Sequence, residues 1–488
     1  MQIVSCPSCG AEVQFRSHAS VVAVCAYCRA TVMKDADAVK DLGKMSSVLE
    51  DFTPIQVGTS GVVGARQFSV VGRIQLRYSA GMWNEWFISF DDGGTGWLGD
   101  SSGLYTVTAE MKADGALPDF DEIEPGRTYA VAGQRYTASE KRVADCIGGQ
   151  GELPFRVGEG WQARVADLRA GESFATLDYS DSDTPVLYNG VSVTLEEMKC
   201  QLLRDEEQIK ASAGKYRGKL DALECPSCGT AIKYLPGVTT SLVCPSCQAQ
   251  LDAAGPQAQI LAQGEKVERV RTTIPLGAVA KINGTNHQVI GAMVRADDEG
   301  TEWTEYLLYN ARSAFFWLVE TDEGWSRATV MGKWPDWQWT AADHADLGKA
   351  RYDKLYEYPA TVKFAAGAFN WRVAAGDVVR VFEFAKGQTR LAAELTGQEL
   401  TWSCSQPVAV DQLKTWFGSE LRIDPAAKTP AQALPSSSLA QKFLWWILGL
   451  NAIPLLFDFS GTVFYVVLAL LAIYLPAKLF APADKGKQ

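Results

Sequence analysis

The feature that most limits what this chain can fold into is that it repeats itself. Cys6-Pro7-Ser8-Cys9-Gly10 recurs as Cys225-Pro226-Ser227-Cys228-Gly229, and Cys25 and Cys28 recur as Cys244 and Cys247, all at a shift of 219 residues. Ile55-Gln56-Val57-Gly58 answers Ile274-Pro275-Leu276-Gly277, and Val70-Val71-Gly72 answers Val289-Ile290-Gly291, still at 219. Trp83-Asn84-Glu85-Trp86-Phe87 answers Trp303-Thr304-Glu305-Tyr306-Leu307, and Trp97-Leu98 answers Trp317-Leu318, now at 220. Further on, Phe155-Arg156-Val157 answers Trp371-Arg372-Val373, and Gly160, Val165 and Gly171 answer Gly376, Val381 and Gly387 at 216. Matches in the same order with so little drift mark a tandem duplication: one structural unit used twice.

Each copy opens with four cysteines spaced C-x2-C-x15-C-x2-C. Two Cys-x-x-Cys knuckles present four thiolates to one ion in tetrahedral array, the pattern of a zinc ribbon. The expected ligands are Cys6, Cys9, Cys25 and Cys28 in the first copy and Cys225, Cys228, Cys244 and Cys247 in the second, for two structural Zn²⁺. Four thiolates leave no open position for water, so such an ion stabilises a small fold rather than catalysing. A redox pair or disulfide is the rival, and four evenly matched knuckles serve it poorly. Cys146, Cys200 and Cys404 read as ordinary thiols.

After each cysteine module the pattern becomes β-rich. Alternating segments such as Gln67–Leu76, Trp83–Phe90 and Arg127–Ala132 end in Gly- or Asp-rich turns, and the second copy repeats the texture at Val279–Val289, Glu302–Tyr309, Ala314–Glu320, Ala360–Phe364 and Val378–Phe384. The expected fold is mainly β, each copy a zinc ribbon plus a small antiparallel β-sandwich or barrel. Helical patterning is expected over Leu195–Lys210 and Asp411–Phe417. Gly94-Thr95-Gly96-Trp97-Leu98-Gly99 spells a dinucleotide loop but leads into no βαβ unit, and reads as a hairpin turn.

The duplicated W-x-E-aromatic element is the other candidate site: Trp83, Glu85 and Trp97, then Trp303, Glu305 and Trp317. On a strand, Trp83 and Glu85 share one face and Trp86 takes the other. A carboxylate framed by indoles binds a cation by charge and by cation–π attraction. The structural reading is a glutamate satisfied by backbone donors or by an arginine, with the tryptophans as core. Sequence matching finds no second carboxylate or histidine in step with these glutamates, which argues against acid–base catalysis. His18, His287 and His344 are scattered, and the chain reads as a non-enzyme.

Composition narrows the partners. The 488 residues carry 46 basic and 57 acidic side chains, a net of −11, with no Lys/Arg cluster. That balance argues against nucleic acid. From Phe443 to Phe480 the only charges are Asp458 and Lys478, in two apolar lobes that meet at Asp458-Phe459-Ser460-Gly461. Such a run suits a hairpin of two minimal membrane spans, with Lys442, Lys478, Lys485 and Lys487 placing both flanks and the bulk of the chain in the cytoplasm. The expected order is a first ribbon at 1–33, a charged connector at 34–51, a β module at 52–200 and a charged helical linker at 201–223. A second ribbon at 224–251, a connector at 252–271 and a second β module at 272–418 follow. A Pro/Ala/Ser linker at 419–438, the transmembrane hairpin at 439–480 and a tail at 481–488 close the chain.

A zinc ribbon followed by a β module with W-x-E-[WY]-[FL] and then W-L resembles the bacterial domain of unknown function 4178, over roughly Phe52–Lys199 and Thr272–Thr415. The resemblance implies no established activity. It implies a setting, since such members are often encoded beside polyamine aminopropyltransferase-like enzymes, small multi-spanning membrane proteins and membrane-remodelling proteins. The expectation is therefore an adaptor anchored at the bacterial inner membrane, working in envelope maintenance or stress with protein partners of those kinds. The alternative is a sensor or carrier of polyamine or another small cation that uses Glu85 and Glu305.

Overall fold

The computed structural model describes residues 2–17, 19–34, 39–44, 53–78, 81–101, 103–155, 161–205, 208–209, 223–232, 241–252, 259–262, 272–310, 313–338 and 343–421. In the tail it describes 447, 451 and 462–470. Each β module is a closed eight-stranded antiparallel barrel. In the first, Gln134–Leu153 is followed round the ring by Gln162–Ala170, Ser173–Asp178, Val186–Val193, Leu104–Met111, Thr95–Ser101, Gly81–Phe90 and Arg66–Tyr78. The last strand pairs back onto the first from Cys146↔Leu76 to Gly151↔Gly72. In the second, Ala350–Phe369, Val378–Lys386, Thr389–Leu395, Leu400–Val408, Gly324–Val330, Ala314–Thr321, Glu302–Asn310 and Thr285–Ala296 close in the same order. The choice left open between sandwich and barrel falls to the barrel.

The closing strand is long because it serves four partners. Gln134–Leu153 pairs with Thr128–Val131 near its start, then with Gln162–Ala170 and Arg66–Tyr78, and its end takes Val22–Val24 of the ribbon. Bulges at Ala138/Glu140 and Cys146/Gly148 bend it between these tasks. The seam demands glycine. A Cβ on Gly72 would sit 1.7 Å from the Glu152 carbonyl oxygen, and Gly151 is at φ +71°. Gly291 and Gly367 hold the matching places in the second copy, Gly367 at φ +95°.

Alternation sorts the side chains of each wall. In the first barrel Phe68, Trp86, Ile88, Leu98, Tyr105 and Val107 point outward and pack under Ile55 and Met198. On the far side Ala166, Leu168, Ala175 and Leu177 pack outward under Ile123 and Val131. Trp83, Trp97, Leu76, Ala144, Ala163 and Val165 belong to the opposite face, the lumen.

The ribbons are built into the same sheets. The hairpin Val22–Val24/Ala30–Lys34 extends the first barrel, and Ser241–Val243/Gln250–Asp252 extends the second through Gly367–Phe369. Glu152 fastens the first ribbon, its carboxylate accepting from Arg16 N at 2.7 Å, Ser17 N at 2.9 Å and Ser20 Oγ at 2.7 Å. The connectors are not purely charged spacers, since Val39–Lys44 and Gln259–Ala262 are strands paired with their ribbons.

Two further expectations are corrected. The helix expected over Leu195–Lys210 is broken: Leu195–Met198 is helical, 199–205 is not, and helix is found again at Gln208 and Ile209. A capping box between Thr194 and Glu197 starts the first piece and left-handed Lys199 (φ 47°) ends it. The chain then turns back to pair Gln201 with Ser60 and to bond Arg204 N to Pro54 O, covering the outer wall instead of leaving it. The segment Val279–Val289 is a hairpin, Val279–Ile282 with Thr285–Ala296, because Asn283 (φ 49°) and Gly284 (φ 81°) form a turn with both central residues left-handed. The shorter C-terminal helix is present as Val410–Phe417.

The two barrels touch. Arg142 reaches Glu399 at 2.6 Å, Lys333 reaches Glu172 at 2.6 Å, and Trp334 N donates to Gly171 O at 2.9 Å. Most of the expected membrane hairpin at 439–480 lies outside the described residues, as do 210–222 and the linker at 422–438. Residues 462–470 are helical, and no helix among the described residues is long and apolar enough to cross a membrane.

Candidate functional site

The two cysteine clusters assemble as the spacing requires. In each, the four sulfurs lie within 4.8 Å of one another. Cys6–Cys28 and Cys9–Cys25 stand at 3.6 and 3.7 Å, and Cys225–Cys247 and Cys228–Cys244 at 3.7 and 3.6 Å. A disulfide needs about 2.05 Å. The edge of a tetrahedron with metal–sulfur bonds of 2.3 Å is about 3.8 Å, so each cluster has the dimensions to hold one metal ion. The knuckles explain the geometry. Gly10 N, Arg29 N, Gly229 N and Gln248 N each donate back to the carbonyl of the first cysteine of their pair at 2.8–2.9 Å. All four donors are left-handed, at φ 76°, 62°, 74° and 55°. Glycine fills two of these places and the fold imposes the conformation on Arg29 and Gln248.

The W-x-E elements lie on the strands Gly81–Phe90 and Glu302–Asn310, with Trp83 and Glu85 facing the first lumen and Trp86 the outer core, as the alternation predicts. In both copies the indole N–H of the first tryptophan donates to the glutamate two residues on: Trp83 Nε1 to Glu85 Oε1 at 2.8 Å, Trp303 Nε1 to Glu305 Oε1 at 2.7 Å. Trp97 packs on Phe87 at 5.2 Å, and Trp317 stands 5.4 Å from Trp371.

The structure adds what the motif search missed. At the 216-residue shift Asp167 corresponds to Glu383 and Asp178 to Glu394, and the strand registers agree: Val165 opposes Asp178, and Val381 opposes Glu394. Each lumen therefore holds a matched trio of acids, Glu85/Asp167/Asp178 and Glu305/Glu383/Glu394. The expectation that no second carboxylate keeps step with the signature glutamate is overturned. The signal was present, since Val165 and Val381 already fix the register. Asp replaces Glu in both pairs, however, and neither lies in a recognisable motif.

The trios differ in their counter-charges. In the second barrel Arg295 Nη1 bonds Glu305 at 3.1 Å and Glu394 at 2.9 Å, and Nη2 bonds the other Glu394 oxygen at 3.3 Å. Arg295 and Glu394 are three strands apart round the ring, so this bond crosses the lumen. Burial opposes the guanidinium charge, but Glu394 and Glu305 outweigh it and hold Arg295 protonated. Glu383 accepts from Tyr358 Oη at 2.5 Å. Glu305 is thus an acid bonded to an arginine.

In the first barrel Glu85 bonds Trp83, Asp167 accepts from Thr176 Oγ1 at 2.7 Å, and Asp178 accepts from Ser180 N at 2.9 Å and from its hydroxyl. Among the described residues no cation bonds any of the three. Burial pushes Glu85 up to about 7, the bond from Trp83 opposing and the charge of Asp178 adding. Burial also raises Asp167, helped by Glu140, and raises Asp178. Neither of the two nearby guanidiniums bonds the trio, although the charge of Asp167 is felt by Arg169. Arg142 bonds Glu140 at 2.5 Å and Glu399 at 2.6 Å and lies over Tyr78. Arg169 bonds Ser192 Oγ at 2.8 Å and stacks on Phe174 and Trp334.

The histidines join neither site among the described residues. His287 is buried against Phe316 and bonds Ser313, His344 sits beside Asp346, and His18 lies outside the described residues.

The family model of the domain of unknown function 4178 matches residues 56–194 and 275–409, one barrel each and more than half of the chain. The chain belongs to this family and carries its domain twice. No curated protein and no solved structure matches it.

Proposed function

We propose that this is a binding protein rather than a catalyst, and that its first barrel takes up an organic cation of the polyamine kind. The observation that supports this reading is the trio Glu85, Asp167 and Asp178 on the inner wall of a closed eight-stranded barrel, beside Trp83 and Trp97 and with no cation bonded to it among the described residues. A barrel of eight strands has room for side chains or for one small ligand. An ammonium group entering there meets three carboxylates and indole faces, the two features that bind such cations most strongly. The same lumen suits catalysis poorly, for among the described residues its acids hold the Thr176 and Ser180 hydroxyls with no histidine between them to relay a proton.

The cysteine clusters are read as two structural zinc sites, supported by four thiolates at tetrahedral spacing and by knuckles that leave no ligand position open. Their place in the barrel sheets suggests that metal binding steadies the closing strand. The apolar run at 443–480 and the family resemblance support a location at the inner face of a bacterial membrane, where tandem barrels would act as an adaptor near membrane-remodelling or multi-spanning proteins.

Calorimetry of the purified chain with spermidine tests the main reading. Binding is expected, and is expected to vanish in Glu85→Gln plus Asp178→Asn. Absence of heat at millimolar ligand, with zinc content and folding intact, overturns it.

A further inference from the structure

The duplication supplies its own comparison structure. In register, Leu76 opposes Trp83 in the first barrel and Arg295 opposes Trp303 in the second, with Ile74 and Met293 opposing the two signature glutamates. Leu76 and Arg295 therefore occupy one lumen position. In the second barrel the arginine delivers a guanidinium to Glu305 and Glu394, the counterparts of Glu85 and Asp178, with its Cζ 5.9 Å from the Trp303 ring. In the first barrel the leucine stops short, 3% exposed and packed among Trp83, Trp97 and Ala144. The acids and the indole stay; a guanidinium still stands 6.0 Å over the Trp83 ring, that of Arg142, but its ion pairs go to Glu140 and Glu399 and none reaches the trio.

We propose that the second barrel is self-ligated: Arg295 fills the place that an external guanidinium or primary ammonium group takes in the first. This rests on the cation-binding reading and adds to it the ligand's chemical class, its location and a stoichiometry of one per chain. The class follows from how the matched acids bind Arg295. One carboxylate grips two guanidinium nitrogens and a second takes the shared nitrogen, a planar fork geometry. A divalent metal ion instead gathers six or more oxygens at about 2.0–2.6 Å, and indoles occupy part of the shell it would need. The carboxylates of the first trio receive one hydroxyl, one indole and a local serine, and Asp167 shares a hydrogen bond with Glu140, which leaves acceptor positions on Glu85 and Asp178 for a ligand's donors.

The other cations near the first lumen do not play the part of Arg295. Arg142 stands where the second copy has Tyr358, and its bonds go to Glu140 and across to Glu399. Arg169 is fixed by Ser192 and the Gly332 carbonyl.

Residue exchange between the barrels tests the inference, with agmatine as probe because it carries both a guanidinium and a primary amine. Titration of the full-length chain should give one site, Mg²⁺ failing to compete. Leu76→Arg should weaken binding at least 100-fold, its side chain occupying the site. Arg295→Leu should raise the stoichiometry to two or, where the vacated acids loosen the barrel, should show a melting temperature that agmatine restores. The double exchange should return to one site, now sensitive to Glu394→Gln and indifferent to Asp178→Asn. Two sites in the wild type overturn the inference, as does unchanged affinity in Leu76→Arg. So does an Arg295→Leu chain that neither gains a site nor is stabilised by agmatine. A wild type that binds no organic cation refutes the parent reading instead, so the two failures are distinct.

Discussion

Replacing Glu85 by glutamine separates a carboxylate kept for a ligand from one kept for the fold. Its carboxyl is carried from an ordinary 4.5 up to about 7, burial being the first cause. At 1.36 kcal/mol per pH unit, holding that group ionised costs the native state about 3 kcal/mol, an upper figure because part of the side chain remains accessible. The native state binds the extra proton between pH 4.5 and 7, so the group's contribution to stability falls as pH rises through that window and the penalty is complete above it. Glutamine keeps an oxygen for the Trp83 indole and carries no charge. Glu85→Gln should therefore stabilise the chain by about 2–3 kcal/mol at pH 8.5 and by almost nothing at pH 4.5. The matched experiment in the second barrel has the opposite sign. Glu394→Gln removes the two-pronged partner of Arg295, whose side chain is 4% exposed, and should cost about 1–3 kcal/mol. Urea unfolding of the purified chain, followed by tryptophan emission at the two pH values, reads both. A Glu85→Gln variant less stable than wild type at pH 8.5 would refute the reasoning and make Glu85 a structural acid.

Metal analysis should return two zinc ions per chain and one in Cys228→Ser; a wild-type value near zero would overturn the ribbon assignment. Glu152→Ala strands two backbone amides and a hydroxyl at the first ribbon's junction, costing about 2–4 kcal/mol locally. Hydrogen exchange at Arg16 and Ser17 should accelerate on the order of 100-fold, and unchanged exchange would show that the ribbon is held by other contacts. Gly72→Ala forces a methyl to 1.7 Å from the Glu152 carbonyl, whereas Gly291→Ala meets the Ala368 carbonyl at 2.7 Å. The first should lose more than about 4 kcal/mol and the second visibly less; equal losses in urea melts would contradict the seam geometry. Agmatine binding should weaken as pH falls through about 7, since Glu85 takes up the proton that competes with the ligand. A flat profile from pH 8.5 to 5 would exclude Glu85 from the site.

What lies close together in sequence was legible there. The duplication, the cysteine knuckles, the in-and-out alternation of Trp83, Glu85 and Trp86, and the hairpin reading of Gly94–Gly99 each depend on a few adjacent residues, whose local geometry the backbone dictates. The break after Met198 was not legible, because Gln201 and Arg204 are drawn back by Ser60 and Pro54, about 140–150 residues upstream. Barrel closure rests on the pairing of Gln134–Leu153 with Arg66–Tyr78, and no spacing rule announces a contact between strands so far apart. The acids show the division most plainly. Sequence supplied Glu85 and Glu305 as twins, and only closure of the ring brought Asp178 and Glu394 across to them. Only the register set Leu76 against Arg295, giving two buried glutamates in near-identical motifs different partners, one bonded to an arginine and one not: charge is felt through space, and the sequence orders residues only along the chain.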